Sequence, residues 1–300
     1  MKAITAAKSF LYDSYWMTAA RLLSDERYLR MIYKRHTGRR LSLDPPMTFN
    51  EKIQWLKLHD RNPLYKQLVD KLAVRDYVKS IVGESYLVPL IGVWKKPEDI
   101  DFANLPNQFV LKTTHDSGGV LLCHDKKRFD VPGAIDMLNQ HLDQDFSEFG
   151  KEWAYHDIPR CIIAEQMLGG SDAGAPLDYK FMCFNGTVKC TFVCSERRSE
   201  SGLKVTFYDR NWVPLPFQRH YPSSSIPIPR PANYQEMADI AVKLSGAIPF
   251  CRIDLYEING RIFFGEVTLY PGGGFERFEP EEWDATLGSW LKLPVGKERI

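Results

Sequence analysis

Arg252, Asp254, Glu266 and Thr268 are residues whose types and spacing could do chemistry together. They lie in FCRIDLYEINGRIFFGEVTLYPGGGF, residues 250–275, which reads as a strand, a turn at Asn259-Gly260, a return strand and a glycine-rich exit. Strand side chains alternate faces, so Arg252 shares a face with Asp254, and Glu266 shares one with Thr268. Whether the two faces coincide depends on the turn. A two-residue Asn-Gly loop puts Gly265 opposite Asp254 and sends the two acids to opposite sides. A three-residue Ile258-Asn259-Gly260 loop puts Arg252 opposite Glu266, with Asp254 diagonal to it. In that register two carboxylates, an arginine and a threonine converge beside Gly272, Gly273 and Gly274, whose backbone N–H groups could meet a ligand. Carboxylates so placed suit a hard cation such as Mg²⁺, which keeps waters and takes further oxygens from phosphate. The plain alternative is a surface hairpin with ordinary ion pairs.

Three upstream stretches could supply what such a cation needs. Gln108 to Lys112 is a β-rich run ending in a polar loop, Thr113 to Gly119, and returning along Val120 to Cys123. A lysine beside flexible backbone donors (Lys112 with Ser117, Gly118 and Gly119) suits a polyphosphate, because charge-assisted N–H bonds offset phosphate desolvation. It is not a Walker loop, since GxxxxGK[ST] is absent. An ordinary hairpin would look much the same. Next, Cys161 to Leu168 is an apolar strand holding Glu165, and burying an unpaired charge is costly, so Glu165 should meet a cation or a ligand donor. Leu177 to Thr191 is a second hairpin, with Asn185-Gly186 at its turn and Lys180 on its first strand.

The elements that must position these residues follow from the pattern. Residues 1–43 read as helical and basic, with nine Lys and Arg against three acids in residues 1–40. That is either a solvated helix face or a surface for an anionic membrane or acidic polymer. After Pro45-Pro46, Thr48 or Asn50 caps a helix running to about Asp60. A further helix over about 64–82 turns Leu68, Leu72, Val74 and Val78 inward and puts Lys71 and Arg75 on one face. Tyr86 to Trp94 suits a strand or linker, Phe129 to Phe149 a helix, and Tyr234 to Leu244 a helix leading into the hairpin. A last helix from Pro280 packs Trp283, Leu287, Trp290 and Leu291 back on the body. His115 falls within the polar loop, whereas His141, His156 and His220 read as packing or surface residues.

Composition sets the class. The 300 residues are 44% hydrophobic and 26% charged with a net charge of +1, so nothing global points to nucleic acid. No apolar run is long enough to span a bilayer, and Lys8 and Asp13 interrupt the start, so no signal peptide is expected. The six cysteines form no CxxC pair and most sit in strand-like runs, as reduced buried thiols of a cytoplasmic protein would.

The order of these pieces, and the segments TFNEKIQWLKLHDRNPLYKQLVDK, NQFVLKTTHDSGGV, DYKFMCFNG and CRIDLYEINGRIFFGEVTLYPGGGF, resemble the TupA-like ATP-grasp family of surface-polysaccharide gene clusters. The resemblance spans about residue 48 to the end. It implies an α+β, ATP-grasp fold, two α+β subdomains clamping ATP, preceded by a helical, basic N-terminal region. The boundaries implied are 1–47 for the basic segment, 48–107 for a helical pre-core region and 108–300 for the core. Within the core, 108–165 and 171–300 are the subdomains and 165–170 the hinge. The cofactors implied are ATP and Mg²⁺. Lys112, Lys180 and Arg75 then match phosphate contacts, and Ser117, Gly118 and Gly119 match the loop over them. Glu165 and Met167 fall on the hinge at the adenine edge, and Asp172 near the ribose. Asp254 and Glu266 match the metal-binding acids, with Thr268 where the superfamily usually has asparagine. Arg252 matches the arginine at the acyl-phosphate centre, and Gly272 to Gly274 the loop for the acceptor carboxylate. This role for the hairpin demands the three-residue turn.

The activity implied is ATP-dependent joining of a carboxylate to an amine. The expected substrates are an amino acid and a uronate-containing glycan, with no nucleic acid partner. Residues 1–43 could touch a membrane or glycan-lipid at its cytoplasmic face. Phosphorylation turns the carboxylate oxygen into a good leaving group, so catalysis needs Lys112, Lys180 and Arg252 rather than a nucleophilic Ser or Cys. Two rivals remain at this point. A nucleotide-sugar glycosyltransferase needs a DxD-like motif, and the one here, Asp143-Gln144-Asp145, falls in a helical pattern. A non-catalytic scaffold would bind polyanionic glycans through residues 1–43.

Overall fold

In the computed structural model, residues 16, 18–145, 147–169, 176–196 and 202–294 are described. Among them no helix is long and apolar enough to cross a membrane. The first long helix, α1 (Asp25–Thr37), buries Tyr28, Leu29, Ile32 and Tyr33 against Trp16, Leu41 and Leu43 and turns Arg27, Arg30, Lys34 and Arg35 to solvent. Helix α2 (Phe49–His59) starts at a capping box, in which Thr48 accepts from the Glu51 N–H and Glu51 from the Thr48 N–H. Thr48, not Asn50, is therefore the cap. Asn50 instead bonds Asp284 and the carbonyl of Glu276.

The helix expected over 64–82 is two, α3 (Leu64–Val69) and α4 (Val74–Ile81). Asp70 breaks it, because its carboxylate accepts the Leu72 and Ala73 N–H groups and holds the turn that leads into α4. Lys71 consequently leaves the face it was expected to share with Arg75 and turns toward the polar loop.

A four-stranded antiparallel sheet follows, in the order β1-β4-β2-β3: β1 (Leu90–Trp94), β2 (Phe109–Thr113), β3 (Val120–Cys123) and β4 (Ile162–Gln166). β1 lies inside the stretch read as a helical pre-core region. It pairs with β4 through Trp94 and Ile162, so the sheet begins before residue 108. Helix α5 (Val131–Asp143) covers this sheet through Leu138, and its Asp130 cap accepts from Gly133. It stops at Asp143, shorter than expected, and a separate turn, α6 (Ser147–Gly150), follows. Asp145 of the DxD-like motif caps that turn by accepting from the Ser147 N–H and hydroxyl.

The second sheet has the order β10-β9-β5-β6-β7: β5 (Asp178–Phe184), β6 (Thr187–Ser195), β7 (Lys204–Tyr208), β9 (Phe250–Ile258) and β10 (Arg261–Thr268). A two-stranded ribbon of β8 (Gln218–Arg219) and β11 (Phe278–Glu279) flanks it. One face of the large sheet is apolar and packs Phe181, Ile253 and Leu255 with Met237, Ile240 and Leu244 of helix α7 (Tyr234–Ser245). The other face carries the polar residues. Helix α8 (Glu282–Trp290) closes the chain, with Leu287 and Leu291 buried.

Candidate active site

The turn between β9 and β10 has two residues, not three. Asn259 and Gly260 both have positive φ, 51° and 73°, and Ile258 pairs directly with Arg261, as in a type I′ hairpin. That register alone would part the acids. A bulge at Gly265 restores them, because Phe264 pairs with Leu255 and Glu266, two residues on, pairs with the next residue of β9, Asp254. Thr268, rather than Glu266, stands opposite Arg252. Glycine is required here, since a Cβ would lie 2.9 Å from the Tyr256 ring and 3.1 Å from the Asp254 carbonyl oxygen. The convergence expected from the turn is thus produced by the bulge.

Across three strands a polar row results. Lys180 on β5 pairs with Asp254 on β9, which pairs with Glu266 on β10. Lys180 reaches Asp254 and Asp178, the latter at 2.6 Å. Arg252 donates to both oxygens of Asp254 at 2.6 and 2.8 Å and to Glu266 at 2.6 Å. Thr268 donates to Glu266 at 3.3 Å. Burial works to raise the Asp254 carboxyl, but Arg252 and Lys180 outweigh it and hold it down at about 2. Glu266 is pushed the other way, by burial first and then by Asp254, in spite of Arg252. Asp178 is also raised by burial, against the pull of Lys180.

Three carboxylates against two cations leave this row one negative charge in excess. Among the described residues no three His, Cys, Asp or Glu side chains form a metal site by themselves. The excess charge of Asp254 and Glu266 in this row suits an ion that takes one or two carboxylates and completes its shell with water and phosphate, as Mg²⁺ does. Thr268 can add a hydroxyl oxygen.

A cavity of about 270 Å³ opens on this row. Arg252, Glu266 and Thr268 form one wall, Gly272 and Gly273 a second, and Lys71, Asp116 and Ser117 of the opposite lobe a third. Gly272, Gly273 and Gly274 all take left-handed φ, between 54° and 67°. The Gly273 N–H is spent on the Tyr270 carbonyl, so Gly273 lines the cavity without offering it that donor, and Gly274, whose Cβ position faces Gln54 and Ile53 of α2, is not part of the lining. The turn is held from beneath: Gln54 donates to the Gly273 and Gly274 carbonyls at 2.9 and 2.8 Å, and the buried Lys57 to Gly273 at 2.6 Å. Burial lowers Lys57 to about 8, against the opposing charge of Glu152.

On the small sheet Glu165 bridges two cations, accepting from Arg75 at 2.7 Å and from Lys112 at 2.6 Å. The charge expected to need a partner has two. Arg75 also donates to the Val88 carbonyl, and neither it nor Lys112, Glu165 or Lys180 lines the cavity. The polar loop is anchored by Asp116, which accepts from Thr113 and contacts His141 Nδ1, both at 2.5 Å, while Lys71 bonds its carbonyl. Gly119 is buried against Thr113 and Asp116, so Ser117 and Gly118 alone form the exposed tip. His115 faces the Gln144 carbonyl. Met167 is half-buried just beyond β4, and Asp172 lies outside the described residues.

Sequence reasoning missed Asp178, Lys57 and Asp116. Asp178 was within reach, because it sits two residues before Lys180 and strand alternation puts the two on one face. Lys57 carries a fainter signal, since it shares the inward stripe of Ile53 and Gln54 on α2.

Two antiparallel sheets with their helices, each carrying lysine–carboxylate pairs, and a cavity between Lys71 and Ser117 on one side and Arg252, Glu266 and a glycine turn on the other, are the arrangement of an ATP-grasp protein. The family model described as TupA-like ATPgrasp matches residues 51–292, and the chain belongs to that family. A search of curated proteins found no match. Among solved structures the chain is similar to a D-alanine–D-alanine ligase from Bacillus anthracis complexed with ATP, with 16% identity, 68% of this chain and 54% of that one covered, and a TM-score of 0.37. It is similar also to a RimK domain ATP-grasp protein from Sphaerobacter thermophilus, at 12% identity, 78% and 70% coverage and a TM-score of 0.42. A D-alanine–D-alanine ligase from Helicobacter pylori aligns at 13% identity, with 81% and 69% covered and a TM-score of 0.42. The chain spans about half the length of the first of these.

Proposed function

We propose that this chain is an ATP-dependent carboxylate–amine ligase that uses Mg²⁺ and forms an amide through an acyl phosphate. The observation that supports this most directly is the row Lys180–Asp254–Glu266, whose Glu266 end, with Arg252 and Thr268, faces Lys71 and Ser117 across one cavity. Phosphoryl transfer asks a protein mainly to position the reactants and to stabilise developing charge. Lys112 and Lys180, one on each lobe, would hold the phosphates from opposite sides. Glu165 fixes the direction of Lys112 by a 2.6 Å ion pair and keeps Arg75 beside it. Asp254 and Glu266 would hold Mg²⁺, which when bound would offset the charge of the phosphates. Arg252 would then swing part of its hydrogen bonding from the acids to the acyl oxygen. The cavity is at the small end for a ligand site, which suits the reacting ends of two substrates rather than a whole nucleotide.

In the finer reading the carboxylate belongs to a hexuronic acid of a capsule, O-antigen or related surface polysaccharide and the amine to an amino acid. Family membership supports this reading. Contact with a membrane or glycan-lipid through the basic residues of 1–43 belongs to it too. The test incubates the protein with ATP, Mg²⁺, a panel of uronates and the amino acids. Release of ADP and phosphate that requires both co-substrates is expected. Release of UDP from a nucleotide sugar, with ATP ignored, would overturn the reading in favour of a glycosyltransferase.

A further inference from the structure

The cavity has a fourth wall, made by Glu152, Tyr155 and Tyr270, that the assignments above leave unused. Glu152 follows the turn α6, with its N–H bonded to the Ser147 carbonyl. Its carboxylate occupies space that Gly150 leaves free, since a Cβ there would lie 2.7 Å from Oε1. The same oxygen is 3.4 Å from where a Cβ on Gly273 would be, which sets it beside the glycine turn. Among the described residues the Glu152 carboxylate takes part in no ion pair and accepts no hydrogen bond. The nearby Lys57 spends its ammonium on the carbonyls of Gly150 and Gly273, at 2.8 and 2.6 Å, and lies over the Phe275 ring. Lys57 thus clasps the two backbone segments that frame Glu152, and influences the carboxylate by charge alone.

Glu152 is half-buried on the cavity wall, and with no donor from the protein its carboxylate is left for a ligand to meet. We propose that Glu152 is the seat of the amine co-substrate, binding a primary ammonium through charge-assisted hydrogen bonds and taking one of its protons. This rests on the ligase reading and adds the amine's place to it. The amine nitrogen attacks the acyl carbon, forming the C–N bond as the C–O bond to phosphate breaks and its electron pair leaves on phosphate. Of the three ammonium protons one goes to Glu152, one leaves on phosphate and one stays on the amide. Burial raises the Glu152 carboxyl, against the pull of Lys57, in the direction a proton acceptor needs. Tyr155 and Tyr270, both pushed upward by burial and then by Glu152, stay protonated and share the wall with it.

Saturation-transfer NMR on the full-length protein, with ethylammonium and the amino acids as probes and their hydroxy analogues as controls, tests this. Saturation of at least one primary ammonium is expected in the wild type. It should weaken by about tenfold or more in Kd in Glu152→Gln, the scale of a lost charge-assisted contact. Glu152→Asp separates binding from support of Lys57, because it keeps the charge but withdraws the carboxylate from the cavity. Weakened binding in Glu152→Asp, with a melting temperature near the wild type, supports the proposal. Equal binding in all three proteins, or no ammonium bound by any, overturns it. The readout does not use ATP, so Glu152-dependent ammonium binding in a protein that ignores ATP would sink the ligase reading and leave this site standing.

Discussion

Replacing Gly265 by valine tests the bulge that brings Asp254 and Glu266 together. Valine is favoured in strands, and Gly→Val at an ordinary strand position should be neutral or stabilising by up to about 1 kcal/mol. Here the new Cβ would meet the Tyr256 ring at 2.9 Å and the Asp254 carbonyl oxygen at 3.1 Å. The ring can shift, but the carbonyl belongs to β9 and cannot move without carrying Asp254. Overpacking of this kind costs about 1–3 kcal/mol, so the sign of the propensity effect should be reversed. At about 2 °C per kcal/mol for a chain of this size, melting should fall by roughly 2–6 °C. The same displacement moves one acid relative to the other, and Mg²⁺-dependent ATP affinity should weaken by about tenfold, or 1.4 kcal/mol. Differential scanning fluorimetry with and without MgATP, and calorimetric titration, measure both. A variant that melts at or above the wild type and binds MgATP equally well would refute the reasoning.

Three further outcomes follow from the same geometry. Asp254→Asn should lower stability by about 3–5 kcal/mol, because it strips Arg252 and Lys180 of a shared buried carboxylate, whereas Glu266→Gln, at the cavity wall and ion-paired with Arg252 alone, should cost less. Both should abolish Mg²⁺-dependent ATP turnover, so urea denaturation and an ADP assay together separate support from chemistry. Lys57, lowered to about 8 from its ordinary 10.5, binds fewer protons folded than unfolded between those values, so its contribution to stability rises with pH through that window, by up to about 3 kcal/mol. The buried thiols Cys190 and Cys251, raised in the fold, pull the other way, so the measurement is the stability of wild type minus that of Lys57→Met, which should rise from pH 7.5 to pH 9.5. Gly288→Ala, although alanine is the better helix former, should destabilise by about 1–3 kcal/mol, since its Cβ would press on the Met47 carbonyl and lie 2.8 Å from the Phe49 amide nitrogen.

Much of the site was legible because its parts are strand residues, whose alternation fixes faces without knowledge of the fold. The Arg252–Asp254 pair could be placed by that rule, Lys112 and Lys180 were singled out by the resemblance, and the partner demanded for Glu165 by the cost of a buried charge exists in both Arg75 and Lys112. The turn was misread because its length and the bulge compensate each other. Either a three-residue loop or a two-residue loop with Gly265 extruded unites the acids, and only the tertiary fit of Gly265 against Tyr256 decides between them. The long helix over 64–82 failed for a local reason, since Asp70 offered the backbone a cap that periodicity does not register. Glu152 gave no signal, because an acid after a short turn looks like any solvated loop until the cavity around it is seen.

Helix α2 has a consequence for how the molecule comes into being. Its inward polar side chains find partners at the far end of the chain: Asn50 at Asp284, Gln54 at Gly274 and Lys57 at Gly273, separated in sequence by 234, 220 and 216 residues. During synthesis from the N-terminus the helix emerges long before any of those groups exists, and a lysine with no exposure in the finished protein must wait in water. Closing loops of that length is slow, and it comes after local pairings such as β2 with β3. The glycine turn beside the cavity therefore acquires its final shape only once both ends of the chain have met.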